Sequence, residues 1–156
     1  IHYEATTNAA FIMSLVAVDT PERERYLTET LEKLQEGLDN LANRVHDRDV
    51  NFFMMEALPI PDSLDEPDAD LLMQRHLFLK EHGFEEQREI DYIRPAIEPG
   101  GEPIPLKLFL HTRIPLTKDI YGTSVKSCYI LKYVFANHLS RKTVYPLLEQ
   151  MDLRKS

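Results

Sequence analysis

Residues 11–18 read Phe-Ile-Met-Ser-Leu-Val-Ala-Val, a nearly unbroken apolar run of the length of a buried strand. Asp19, Thr20 and Pro21 stop it. Thr20 suits a helix N-cap, and Pro21 suits the first helical position, where its missing N–H costs nothing. Leucines then recur at Leu27, Leu31, Leu34, Leu38 and Leu41, spaced four, three, four and three, the stripe of an amphipathic helix. Residues 51–56, Asn-Phe-Phe-Met-Met-Glu, give a second buried strand. Strand, long helix and strand together predict a β-α-β crossover with the two strands parallel in one sheet. That unit places Leu34 in the core, nearly fully buried.

The rest of the chain must fit around this unit. At 156 residues it makes one domain with a proper core. No apolar run reaches the roughly 18 residues of a membrane span, so no membrane partner is expected. A formal charge of −8 repels phosphate and argues against a nucleic-acid surface. The single cysteine, Cys128, excludes an internal disulfide and fits a reducing, cytoplasmic setting, or is simply a small buried side chain. The chain opens at Ile1 without Met or signal peptide, which suggests a missing upstream segment.

In chain order, residues 1–4 read as a strand end and residues 5–10 as a turn, so 1–4 and 11–18 form an antiparallel hairpin. Residues 59–68 hold three prolines and four acids, a loop composition. Asp68 caps a helix with apolar Leu71, Leu72, Phe78 and Leu79, stopped at Gly83, after which Phe84 folds back onto the core. Residues 90–93 read as a strand, 95–103 with Gly100 and Gly101 as a turn, and 106–110 as the returning strand. The alternation of Leu106, Leu108 and Leu110 with Lys107 and Phe109 predicts one face more buried than the other. Residues 112–156 read as a helical C-terminal extension, one helix capped by Ser124 and a shorter one disturbed by Pro146.

This order of elements, with the run ending in Leu15-Val16-Ala17-Val18-Asp19, the helix ending in His82-Gly83-Phe84, and Asp91-Tyr92-Ile93-Arg94-Pro95 before Gly100-Gly101, resembles the GCN5-related N-acetyltransferase (GNAT) superfamily. The hairpin resembles that of a bacterial branch. The match covers the family's C-terminal two thirds, with its first strand and helices lying before Ile1. The resemblance implies an α/β (α+β) fold with a mixed central sheet and a single domain over residues 1–156. It implies acetyl-CoA as cofactor, in a wedge where the two parallel strands splay. Pantetheine would pair with the backbone of Val16, Ala17 and Val18. The pyrophosphate would sit on N–H groups at the start of the long helix, beside Arg23, Arg25 and Thr28.

The family's phosphate loop wants small residues so that the backbone can approach the phosphates. Here the hexad is Arg23-Glu24-Arg25-Tyr26-Leu27-Thr28, in which only Arg23 matches. The loop is therefore degenerate. The family's tyrosine acid is also missing, because Leu79 follows Phe78. Glu56, at a strand C-terminus, is the carboxylate placed for a general base. Its alternative is a strand-end residue facing water or pairing with Arg75. Tyr92 is either an acid or a core ring.

The six histidines show no metal-ligand spacing, and the five glycines form no nucleotide loop. Two functions follow from the resemblance. One is an acyl-CoA-dependent N-acyltransferase acting on a small-molecule or peptide amine. The other is a catalytically inactive binding or dimerisation module. An open sheet edge at residues 1–4 predicts self-association or docking of an upstream domain.

Overall fold

The computed structural model describes residues 1–12, 20–63 and 65–155. The elements in chain order are β1 (His2–Glu4), β2 (Ala9–Phe11), α1 (Arg23–His46), β3 (Phe52–Ala57), α2 (Ala69–Glu81), β4 (Glu85–Glu86), β5 (Ile93–Arg94), β6 (Ile104–Pro105), β7 (Lys107–Thr112), α3 (Lys118–Ile130) and α4 (Arg141–Gln150). A π-helical segment, Leu131–Ala136, continues α3. The chain is a mixed α/β protein. Its five-stranded sheet runs β1-β2-β3-β7-β4, and β5 with β6 makes a separate two-stranded ribbon.

The β-α-β unit is present. β2 pairs with β3 in parallel, Ala9 opposite Phe52 and Phe11 opposite Met54, and the Ile12 N–H extends the ladder to the Met54 carbonyl at 2.9 Å. β3 continues antiparallel to β7, and β7 to β4, so the sheet is mixed. β2 starts at Ala9, two residues earlier than the apolar run suggests, and the β1–β2 turn shrinks to residues 5–8. Asn8 makes this possible. It adopts φ +52°, a conformation Asn tolerates, and its side chain donates to the Asp49 carbonyl at 2.8 Å. The remainder of the predicted strand, from Met13 to Val18, lies outside the described residues.

Both faces of the sheet are covered. Ala10, Ile12, Phe53, Met55 and Phe109 pack under α1 and α2, with Leu31, Leu38, Ala42, Phe78, Leu79 and Phe84. Ala9, Phe11, Phe52, Met54, Leu108 and Leu110 face α3 and α4, with Val125, Tyr129, Tyr133, Val144 and Leu148. Successive strand residues therefore serve opposite cores, which is why the strand sequences read as continuous apolar runs. Over residues 106–110 the face of Leu106, Leu108 and Leu110 is buried throughout; on the other face Lys107 is exposed, while Phe109 is as buried as its neighbours.

α1 begins at Arg23 with Glu22 at the cap position, later than the Thr20-Pro21 signal suggests, and Glu22 makes no side-chain cap bond. The Thr20 carbonyl instead accepts from the Arg23 N–H at 3.0 Å, forming a turn ahead of the helix. Leu34 is only half-buried and Leu41 is exposed, whereas Leu31, Leu38 and Ala42 are buried. The cause is helical geometry. A repeat of seven drifts about 20° per heptad around a straight helix, so Leu27, Leu34 and Leu41 slide off the buried line.

α2 ends as expected, in a Schellman motif. The Phe84 N–H bonds the Leu79 carbonyl at 2.9 Å and the Gly83 N–H bonds that of Lys80 at 3.2 Å. Gly83 has φ +86°, and a Cβ there would lie 3.2 Å from the His111 ring, so both backbone and space call for glycine. The strand expected at residues 90–93 is displaced. Ile93 and Arg94 pair with Pro105 and Ile104, while β4 takes the place beside β7. α3 starts at Lys118, six residues ahead of Ser124. Thr117 caps it, accepting from the Ile120 N–H at 3.2 Å, and Ser124 is buried within the helix.

The helix drift gives a direct stability test. Leu31→Ala should cost about 2–5 kcal/mol. Leu34→Ala should cost less than about 1.5 kcal/mol, because less area returns to water. Urea unfolding of the two variants checks the order. Equal losses would contradict the buried line described here.

Candidate functional site

A cavity of about 670 Å³ opens at the C-terminal end of β3, between the start of α1 and the length of α2. Thr20, Pro21, Arg23, Glu24 and Leu27 line it from the α1 side, and Leu71, Gln74, Arg75 and Phe78 from α2. Its floor is built by Met55, Glu56, Ala57, Arg94, Leu106 and Lys132. Parallel strand pairs bring functional groups to such a place, because their C-termini and the following helix N-termini meet there.

The floor is organised by one carboxylate. Glu56 Oε1 accepts from Tyr92 Oη at 2.6 Å, and both Glu56 oxygens accept from Tyr133 Oη, at 2.9 and 2.8 Å. Lys132 Nζ donates to Glu56 Oε2 at 3.1 Å. The side chains of Lys132 and Glu56 are only 11% and 6% exposed, so this ion pair is internal. The ammonium also lies 4.7 Å from the centroid of the Phe11 ring and 5.0 Å from that of Tyr133. Tyr129 stacks against Tyr133 and donates to the Ile93 carbonyl at 2.7 Å. Glu56 therefore pairs with Lys132, not with Arg75 and not with water.

The π-helical turn brings Lys132 and Tyr133 to this point together. The Asn137 N–H bonds the Lys132 carbonyl at 2.9 Å, five residues back, and the Asn137 side chain donates to the same oxygen at 2.7 Å. Such widened turns recur at functional sites. Tyr129, Lys132 and Tyr133, three and four residues apart, all reach the interior.

Burial raises the pKa of every phenol in the cluster and so disfavours its ionisation. Tyr92 is pushed well above the usual tyrosine value by desolvation first, then by the Glu56 charge. Tyr129 and Tyr133 are raised by the same causes in the same order. These hydroxyls stay protonated and act as fixed donors, those of Tyr92 and Tyr133 to the carboxylate and that of Tyr129 to the Ile93 carbonyl. Cys128, buried beside them, has its thiol pushed up to about 12, chiefly by desolvation, so it supplies no thiolate near neutral pH.

The residues expected to hold a cofactor are distributed unevenly. Arg23 lines the cavity. Arg25 lies on the outer surface, over the Tyr26 ring at 5.1 Å and 3.9 Å from Glu29. Tyr26 itself is 39% exposed, with the Arg25 guanidinium over its ring. The Thr28 hydroxyl faces the α2 terminus, bonded to the Glu24 carbonyl and 3.1 Å from His82 Nε2. Val16, Ala17 and Val18 lie outside the described residues. The Arg23 and Tyr26 N–H groups bond the Thr20 and Glu22 carbonyls, which leaves the Glu24 and Arg25 N–H groups as open donors of α1 among the described residues.

Lys132, Tyr133 and Arg94 carry no weight in the sequence reading of the site. One signal for Lys132 was available: it interrupts the apolar stripe of Val125, Cys128, Tyr129 and Tyr133, and a buried lysine requires a carboxylate. Glu56, at the end of Phe-Phe-Met-Met, is the acid that interrupts an apolar strand. Among the described residues no group of three or more His, Cys, Asp or Glu side chains has the arrangement to hold a metal ion. No helix is long and apolar enough to cross a membrane among the described residues.

No protein-family model matches the chain, and no curated protein matches it. A solved structure from Bacteroides thetaiotaomicron, ascribed to the GNAT family of acetyltransferases, is similar at 22% identity with a TM-score of 0.47. The match covers 74% of this chain and 52% of that one, so the chain spans about half the length of that structure.

Removing one member of the buried pair leaves the other charge uncompensated, so Glu56→Gln should lose about 3–5 kcal/mol of stability. Adding Lys132→Met to Glu56→Gln should restore much of that loss. Chemical denaturation of the two variants is the check, and a loss below about 1 kcal/mol for Glu56→Gln would contradict an internal pair.

The tyrosines make a second check. Their folded ionisation lies above the unfolded value near 10, so the folded state holds protons that the unfolded chain releases. Their contribution is complete below about pH 10 and is lost as pH rises beyond it. Unfolding free energy measured upward from pH 10 should fall, and Tyr92→Phe should make that fall shallower by about one proton. An unchanged slope would contradict the cluster.

Proposed function

We propose that the cavity takes an acyl-CoA and that the chain is a GNAT-like N-acyltransferase acting on an amine. The observation that carries this reading is the position of the cavity. It lies where a parallel strand pair ends and where the crossover helix α1 directs its open N–H groups, with Arg23 on the wall and Glu56 on the floor. Helix N-termini attract phosphate through those donors and through the helix dipole. The order of elements from β1 through the α2 Gly83-Phe84 stop to β7 is also the order that the family resemblance requires.

In this reading the pyrophosphate rests on the Glu24 and Arg25 N–H groups with Arg23 beside it, and the thioester points toward Glu56. The attacking amine must lose a proton. Glu56 would receive it once the amine displaces one of the hydroxyl donors from the carboxylate; the amine nitrogen would bond to the thioester carbon as the C–S bond breaks, and the proton would leave on the released CoA thiol. Lys132 and Tyr133 meanwhile hold the carboxylate in place. The edge strand β1 is read as the surface that recruits a second copy or an upstream domain.

One observation favours the inactive module as a second reading. Both oxygens of Glu56 already accept from tyrosine hydroxyls and one also from Lys132, the satisfaction expected of a structural carboxylate.

Calorimetric titration with CoA separates the two. The parent chain should bind, and Arg23→Glu should weaken binding by tenfold or more, since it places a repulsive charge beside the phosphates. Tyr26→Gly should tighten binding by freeing the backbone, despite costing about 0.5–1 kcal/mol of helix stability. Absence of heat in all three proteins would remove the acyltransferase reading and leave the module.

A further inference from the structure

The charges on the cavity floor do not balance. Glu56 and Lys132 neutralise each other at 3.1 Å. Arg94, on β5, lines the same floor and sits close enough to Tyr133 for its charge to act on that phenol. Among the described residues no carboxylate lies within ion-pairing distance of Arg94, and its Nε–H is buried without an acceptor. The other acids lining the cavity, Glu24 and Glu81, are exposed near helix ends at its rim. Arg75, on the α2 wall, likewise has no ion-pair partner among the described residues.

A half-buried guanidinium without a carboxylate partner carries an uncompensated charge, and a planar anion in the cavity offsets it through charge-assisted hydrogen bonds to the terminal guanidinium nitrogens. In the acyl-CoA reading phosphate is taken by the start of α1, which lines the same cavity. A carboxylate fits the floor in charge, in flat shape and in its match to the guanidinium fork.

We propose that the cavity floor is a carboxylate subsite built on Arg94, so that one of the two reactants carries a carboxylate near the reacting carbon. This rests on the acyl-CoA reading for its second partner but not for its chemistry. Two sources present that group: an amino-acid-like acceptor, or an acyl chain ending in a carboxylate.

The probes are N-acetylglycine and its uncharged amide, N-acetylglycinamide, titrated into the full chain at constant ionic strength. The acid should bind and raise the thermal midpoint, and the amide should do neither. Arg94→Gln should weaken acid binding at least tenfold. Arg94→Lys, which keeps the charge and loses the fork, should fall between the two. Arg88→Gln, at an exposed residue paired with Glu86 outside the cavity, should change nothing. Equal response to acid and amide in the parent chain needs no variant and would overturn the subsite, as would an equal response to inorganic phosphate.

Two further arms identify the source. If the acceptor carries the carboxylate, protein saturated with CoA still binds N-acetylglycine. If the acyl chain carries it, succinyl-CoA binds at least tenfold tighter than acetyl-CoA, and only while Arg94 is present. Acid binding without any CoA binding would sink the acyl-CoA reading and keep the subsite. CoA binding with no preference for acid over amide, or for succinyl-CoA over acetyl-CoA, would sink the subsite and keep the acyl-CoA reading.

Discussion

The structure turns on a buried negative charge at the end of β3. A carboxylate in a protein interior is tolerated only when paired and hydrogen-bonded. Glu56 draws its partners from segments 36, 76 and 77 residues away in sequence. That requirement fixes the loop before β5, through Tyr92, and the π-helical turn after α3, through Lys132 and Tyr133. The α3 layer is thereby held at one height on the sheet, and the floor of the cavity is set by the same contacts. A mutation in this cluster therefore acts on packing and on the site at once.

The local logic of the fold was largely readable. A long apolar run, a leucine-striped helix and a second apolar run specify a parallel crossover. The Gly83-Phe84 stop specifies a Schellman end with Phe84 packed back on the core. Legibility failed where residues close in sequence do not decide the outcome. β4 is two residues long and reads as Glu-Glu, and nothing local places it beside β7. Leu34 lost its expected burial because a seven-residue repeat drifts on a straight helix. Thr117 and Ser124 are both acceptable caps, and only tertiary packing, which buries Ser124, selects the first.

The site was legible by half. Glu56 stood out as an acid ending an apolar strand at the right end of the sheet. Its partners were hidden because the π turn, which lets Lys132 and Tyr133 converge, leaves no periodic signature in the sequence. Arg94 was visible only as part of a family-like hairpin. Its significance comes from what does not face it, which no sequence pattern records. The start of α1 reads as a poor phosphate loop because Tyr26 replaces glycine. In the folded chain that ring is exposed with the Arg25 guanidinium over it, and the Cβ remains the objection.

In the proposed function, the open N–H groups at the start of α1, the cavity along α2 and Glu56 on β3 would together take a long ligand with an anionic head and a reactive tail. A crystal structure of the chain grown with acetyl-CoA tests this most directly. The account predicts the pyrophosphate on the Glu24 and Arg25 N–H groups, and the thioester within reach of Glu56. A cofactor seated elsewhere, or a cavity that stays free of it at saturating concentration, would contradict the account.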